Sequence, residues 1–134
     1  ASVERRGALL VVAGAVDATG AREALCRWYS EEALRDLTAR VSRLAPVVGD
    51  WPAEIRVREY QSRWGYCRSD GLVAFNWRLL QAPPDVVDYV VVHELVHLRH
   101  PHHQPPFWDM VAAVAGDVRL SRRWLRDHDR ELHW

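Results

Sequence analysis

The stretch HELVHLRHPHHQPPFW, residues 93–108, holds five histidines within eleven positions and one acid between the first two. It continues VVDYVVV, residues 86–92, an apolar run of helical length that QAPPD (residues 81–85) introduces with a break. Proline suits a first helical turn, and Asp85 and Asp88 suit the positive end of the helix dipole. The spacing predicts a helix that stops near His100, because Pro101 disfavours helical geometry in the residue before it. On such a helix His93 and His97 are four apart, so both rings project from one face within reach of a single ion. Glu94 lies one step along, where a carboxylate can contact water at that ion without being a ligand. Burying two imidazoles and a carboxylate in an apolar helix is costly without partners, and a metal with its water supplies them.

Geometry narrows the third ligand. His100 stands about 10 Å along the axis from His93, too far for two ligands of one tetrahedral ion. The chain must first turn back at Pro101, which brings His102 or His103 around the bend. The ten-residue interval from His93 to His103 matches the HExxHxxxxxH spacing and favours His103. His100 and His102 then read as rim residues, one of them a hydrogen-bond partner for a ligand. Pro105-Pro106 opens a further helix through Phe107, Trp108, Val111 and Val114 to Gly116.

Upstream, RWGYC and LVAFNW flank RSDG, whose Asp70-Gly71 pair predicts a hairpin between Arg63 and Trp77. EIRVREYQ alternates loosely enough to be a strand. Leu25, Trp28, Leu34, Leu37, Val41 and Leu44 recur at helical intervals on one face. That helix is expected to start with Thr19 as its cap and to end near Ala45, before Pro46. Leu9–Val12 reads as a buried strand. VERRGALLVVAGAVDA faintly mimics a secretory leader, but Glu4 in its charged part and Gly14 in its apolar run favour the strand. The last segment, VRLSRRWLRDHDRELHW, is an amphipathic helix with a solvated face of both signs. No repeat, low-complexity stretch or linker divides the chain, so one α+β domain over residues 1–134 is expected.

Composition excludes several classes. The 134 residues carry 18 basic and 18 acidic side chains, so no global field draws the chain to nucleic acid or an anionic membrane. Arg122, Arg123, Arg126 and Arg130 cluster near the C-terminus, but Asp127, Asp129 and Glu131 interleave with them and no nucleic-acid signature accompanies them. No apolar run approaches the ~20 residues that span a bilayer. Cys26 and Cys67 lie far apart and read as two reduced thiols. A cytoplasmic location is the expectation. The seven tryptophans are read first as core residues.

Residues 62–108, SRWGYCRSDGLVAFNWRLLQAPPDVVDYVVVHELVHLRHPHHQPPFW, resemble the YgjP-like metallopeptidases, whose pattern runs SRWGSC, a hairpin, NWRL, APP, VVHELxH and NHSxxFW. The resemblance implies a zincin related to SprT-like and minimal gluzincin-type domains. Its fold would be α+β, with a small mixed or antiparallel sheet whose hairpin packs on the active-site helix between flanking helices. It implies zinc held at His93, His97 and His103, with Glu94 as the catalytic carboxylate, and an edge strand that pairs with an extended peptide. This chain departs from the pattern at His102 and Gln104, which replace the asparagine and serine of NHS, and at Tyr66 in SRWGYC.

The function expected is a zinc-dependent metallopeptidase of the HExxH type, in which Glu94 activates a zinc-bound water. Arg63, Tyr66, Tyr89 and His102 are candidates to contact substrate or stabilise the oxyanion. Arg63, Trp64 and Asn76 serve equally well as a buried network that holds hairpin to helix. A nucleoside triphosphate pyrophosphatase, with Arg63 and Arg68 as phosphate clamps, is the alternative within enzymes. A metal-stabilised binding module, acting near nucleic acid, is the alternative outside them. Three histidines with an open fourth position favour catalysis, because structural zinc sites are usually closed.

Overall fold

A computed structural model describes residues 2–6, 9–14 and 17–129. Its order is β1 (Ser2–Arg6), β2 (Leu9–Ala13), α1 (Ala18–Val48), β3 (Glu54–Arg58), β4 (Gly65–Cys67), β5 (Leu72–Asn76), α2 (Pro84–His97), α3 (Pro105–Ala115) and α4 (Arg119–Asp127), with a 3-10 helix at Trp77–Gln81. This is the mixed α+β architecture expected from sequence. Arg130 and Glu131, placed in the last helix by the sequence, lie outside the described residues. No helix among the described residues is long and apolar enough to cross a membrane.

Two sheets form. The predicted strand at Leu9 pairs antiparallel with β1, which the sequence reading did not assign to a strand. The second sheet has the order β3-β5-β4, with β3 parallel and β4 antiparallel to the central β5. All five residues of β5 are buried, so both of its faces are covered. The Asp70-Gly71 turn works as expected: Gly71 sits at φ +92°, a conformation that suits glycine, and its amide donates to the Arg68 carbonyl at 3.0 Å. Because β4 is the last strand of this sheet, its outer edge is not paired within the sheet.

Helix α1 differs from expectation at both ends. Asp17, not Thr19, is the cap: its extended backbone lets the carboxylate accept from the Gly20 amide at 2.7 Å, and Thr19 lies inside the first turn. Nor does Pro46 stop the helix. The last turn continues to Val48, because Ala45 and Val48 are buried, and Gly49 closes it at φ +91° with its amide on the Ala45 carbonyl at 2.7 Å. The buried stripe runs through Ala33, Leu37, Val41, Leu44 and Val48, while Leu34 is 42 % exposed and Leu25 and Trp28 are half-buried. Ala33 is thus the residue enclosed at this point of the helix, and Leu34 is turned outward.

Helix α2 is buried on nearly every side, from Val86 through Val96, with α1, α3, α4 and β4 around it. Asp88 does not serve the dipole of its own helix; it takes Arg40 and Arg43 of α1 at 2.7 and 2.6 Å. Asn76, fully buried, ties down the approach to β4. Its Nδ2 donates to the carbonyls of Tyr60 and Arg63 at 2.8 and 3.2 Å, and its Oδ1 accepts from the Arg78 amide at 3.1 Å. Of the two sequence readings of Asn76, these bonds give it the structural one.

Burial opposes ionisation of the Asp88 carboxyl, but hydrogen bonds from Arg43 and Arg40 outweigh it and hold its pKa below the usual carboxylate value. A carboxylate whose pKa falls on folding stabilises the fold above its unfolded pKa, and the contribution is lost as pH falls through the folded value. Asp88→Asn should therefore lower the urea midpoint at pH 7, by roughly 1–2 kcal/mol in unfolding free energy. At pH 3 the gap between variant and wild type should narrow; an equal gap at both pH values would refute the pairing.

Candidate metal centre

Three imidazoles converge where α2 ends and the chain turns back. His93 and His97 come from the last turns of α2; His103 comes from the loop before α3. Their Nε2 atoms form a triangle with sides of 3.2 Å (His93–His97), 3.1 Å (His97–His103) and 3.4 Å (His93–His103). These three residues could hold one metal ion. Nitrogens bound at 2.0–2.1 Å to a tetrahedral ion stand roughly 3.3–3.4 Å apart, so the triangle fits without rearrangement.

The far ring atoms are committed elsewhere. His97 Nδ1 lies 2.9 Å from the His100 carbonyl, which accepts its proton and leaves Nε2 with a free lone pair. His93 Nδ1 lies 3.0 Å from the Tyr89 hydroxyl, one turn earlier on α2. Burial pushes His93 down to about 3, with His97, His103 and Arg122 adding to it. Burial also lowers His97, against the His100 carbonyl, which raises it. Both rings are thus neutral at pH 7, the state in which imidazole binds a metal. Beneath all three lies Phe107, wholly buried, with ring centroids 4.9, 4.4 and 5.1 Å from His93, His97 and His103. Trp108 fixes the loop by donating from Nε1 to the His103 carbonyl at 3.1 Å.

Glu94 is only 6 % exposed and faces β4. Burial pushes its carboxyl up to about 8, opposed by the charge of Arg63. It shares a cleft of about 650 Å³ with the three histidines, walled on the opposite side by Gly65 to Ser69 and Gly71. Strand β4 comes so close that a Cβ on Gly65 would lie 2.9 Å from the Ala74 carbonyl oxygen and 3.3 Å from Glu94 Cγ. Cys67 also lines the cleft, and burial pushes its thiol up to about 11, with Glu94 and Asp70 adding to the shift. It stays protonated and unreactive at neutral pH.

The remaining candidates divide. Tyr89 touches His93 and positions it. Tyr66 lines the cleft, with its ring edge-on to Tyr60 and the Arg63 guanidinium 5.2 Å above it. His102 is turned towards His100 and accepts from the Gln104 amide at 3.1 Å, so its ring braces the start of α3. Trp64 donates to Asp129 at 2.9 Å. The sequence reading gave no role to Phe107 beyond its place in a helix, although the FW pair after the histidines was a signal. Arg122 had no such signal: it was read as part of a solvated face, yet its guanidinium stacks 4.4 Å over Trp108 and its charge reaches His93 and Tyr89.

A helix carrying two of three convergent histidines, a buried acid between them and an edge strand across the cleft form a candidate metal centre. The chain belongs to the YgjP-like family: the YgjP-like metallopeptidase domain matches residues 2–128. As a member it is a metallopeptidase, a metal-dependent hydrolase class that acts on peptides. The crystal structure of the metallopeptidase zymogen of Pyrococcus abyssi abylysin shares the fold, with a TM-score of 0.61 at 19% identity, over 70% of this chain and 96% of that one. No curated protein matches the chain.

Gly65→Ala should destabilise the protein by about 1–3 kcal/mol, since the obstacle is a backbone oxygen that cannot swing aside. The urea midpoint should fall with an unchanged m-value. Wild-type stability in this variant would mean that β4 does not press on Glu94 as described.

Proposed function

We propose that the chain is a zinc peptidase in which His93, His97 and His103 hold the ion and Glu94 handles the proton. The observation that carries this reading is the Nε2 triangle, sized for a tetrahedral ion and opening on the same cleft as a buried carboxylate. Among the described residues no fourth histidine, cysteine or acid joins the cluster, and three protein ligands with one open position are the pattern of catalytic zinc. Zinc, when bound, supplies Lewis acidity that polarises the scissile carbonyl and acidifies water.

The protein's own residues do the rest. A peptide adds along the outer edge of β4, which presents its backbone across the cleft from α2. Glu94 takes a proton from the attacking water and returns it to the leaving nitrogen. A carboxyl that burial holds well above its ordinary value is poised to accept and release a proton near neutrality. Tyr89 and the His100 carbonyl fix the tautomers and ring planes of His93 and His97. The nucleotide reading is weaker, because Arg68, one of its two phosphate clamps, is paired with Asp70.

Protein purified without a histidine tag should carry one zinc per chain, and His103→Ala should lose it while His102→Ala retains it. Equal loss in both variants would undo the ligand assignment. Tyr89→Phe should weaken zinc binding about 10-fold. Glu94→Gln should keep the metal and lose peptide hydrolysis by roughly 10²–10⁴-fold. Pyrophosphate release from nucleotides with no peptide cleavage, abolished by Glu94→Gln, would replace the peptidase reading with the nucleotide one.

A further inference from the structure

None of the nine residues of α4 is buried, yet the helix reaches both walls of the cleft. Its sequence, RLSRRWLRD, packs Trp124 and Leu125 against the core and leaves the arginines exposed. One turn on from Trp124, His128 stacks on its ring with centroids 3.9 Å apart and planes at 10°. The Nδ1 of His128 lies 2.7 Å from the Trp124 carbonyl, which accepts its proton. That bond closes the helix and sets Asp129 just beyond its end.

The contacts at the two ends go to different walls. Near the start, the Arg122 guanidinium lies 4.4 Å over the Trp108 ring. Trp108 is tied to the third histidine twice. Its Nε1 donates to the His103 carbonyl at 3.1 Å, and the two rings stack with centroids 6.0 Å apart. Past the end, the Asp129 carboxylate accepts from Trp64 Nε1 at 2.9 Å, and the Trp124 ring packs 5.8 Å from that of Trp64. Trp64 immediately precedes Gly65, the residue of β4 that lies against Glu94, and its carbonyl accepts from the Asn76 amide at 2.8 Å. One short helix thus holds the His103 loop and the entry to the edge strand at once.

Neither Arg122 nor Asp129 lines the main cleft. Charge alone does not account for Arg122: it reaches His93, where a cation repels a metal ion. What its position provides is the stack on Trp108, and through Trp108 a fixed His103. This support falls where the site needs it. His93 and His97 are held by the backbone of α2, whereas His103 stands in the loop between α2 and α3.

We propose that α4 is a brace across the side of the cleft. Arg122 positions the third ligand through Trp108, and Asp129 positions strand β4 through Trp64. The inference rests on the reading of the site above and adds two positioning residues that sequence spacing does not connect to it.

Each end has its own readout. Arg122→Ala should weaken zinc binding about 2–5-fold in a chelator competition, and Arg122→Lys, which keeps a cation over the ring, should restore it. An arginine acting only through its field gives the opposite sign, because removing a like charge tightens the ion. Trp64→Phe keeps a ring and loses the bond to Asp129. It should leave zinc binding unchanged, speed hydrogen exchange at the Asn76 amide and raise KM for a peptide about 2–10-fold at constant kcat. Asp129→Ala should do the same, and the double variant should add nothing. Tighter or unchanged zinc binding in Arg122→Ala overturns the brace, as does wild-type exchange at Asn76 in Trp64→Phe. Variants that lower only the urea midpoint reduce α4 to a structural element and overturn it too. The zinc and exchange effects in a protein that cleaves no peptide leave the brace standing and overturn the peptidase reading instead.

Discussion

Two imidazoles and a carboxylate sit on a helix that is otherwise apolar and enclosed, and a large part of this fold answers the cost of keeping them there. A buried polar group without a partner loses its hydration and gains nothing. Each of the three has its answer in a different element. Tyr89, from the same helix, meets His93; the reversing chain offers the His100 carbonyl to His97; Arg63, before the edge strand, offers charge to Glu94. The Nε2 atoms of the two imidazoles meet at one place, where His103 joins them. Phe107 supplies a rigid floor under the rings. The site is therefore a consequence of how the buried face of α2 is satisfied.

That arrangement demands precision from the sheet. Strand β4 must approach α2 closely enough to wall the cleft, and the absence of a side chain at Gly65 makes room for Glu94. Its approach is set by Asn76, which holds the carbonyls of Tyr60 and Arg63 and so fixes the segment entering β4. On the other side, Asp88 locks α2 to α1 through Arg40 and Arg43. Helix and strand are thus anchored independently, and the cleft is the gap between two fixed elements.

The sequence was most legible where periodicity and turn chemistry agreed. Helix α2, its stop before Pro101, the hairpin at Asp70-Gly71 and the helix after Pro105-Pro106 all lie where local rules put them. It was least legible where tertiary packing outweighed those rules. Thr19 is a good cap in isolation, but Asp17 is equally good and begins the helix earlier. Pro46 weakens the last turn of α1, yet burial of Ala45 and Val48 holds that turn together. Leu34 fits the apolar stripe by spacing, but Ala33 is the residue buried there.

By itself the sequence determined which side chains could share a face: His93, Glu94 and His97 follow from helical geometry, and a third histidine from the need to turn at Pro101. It also determined the family, through motifs spread over residues 62–108. The ten-residue spacing from His93 already favoured His103 over His102; the tertiary structure adds that the His103 Nε2 stands beside those of His93 and His97 while His102 turns towards His100. Only the tertiary structure brought Trp64 to Asp129 and set Arg122 over Trp108. Those contacts join segments far apart in the chain, and spacing along a sequence carries no record of distances across a fold.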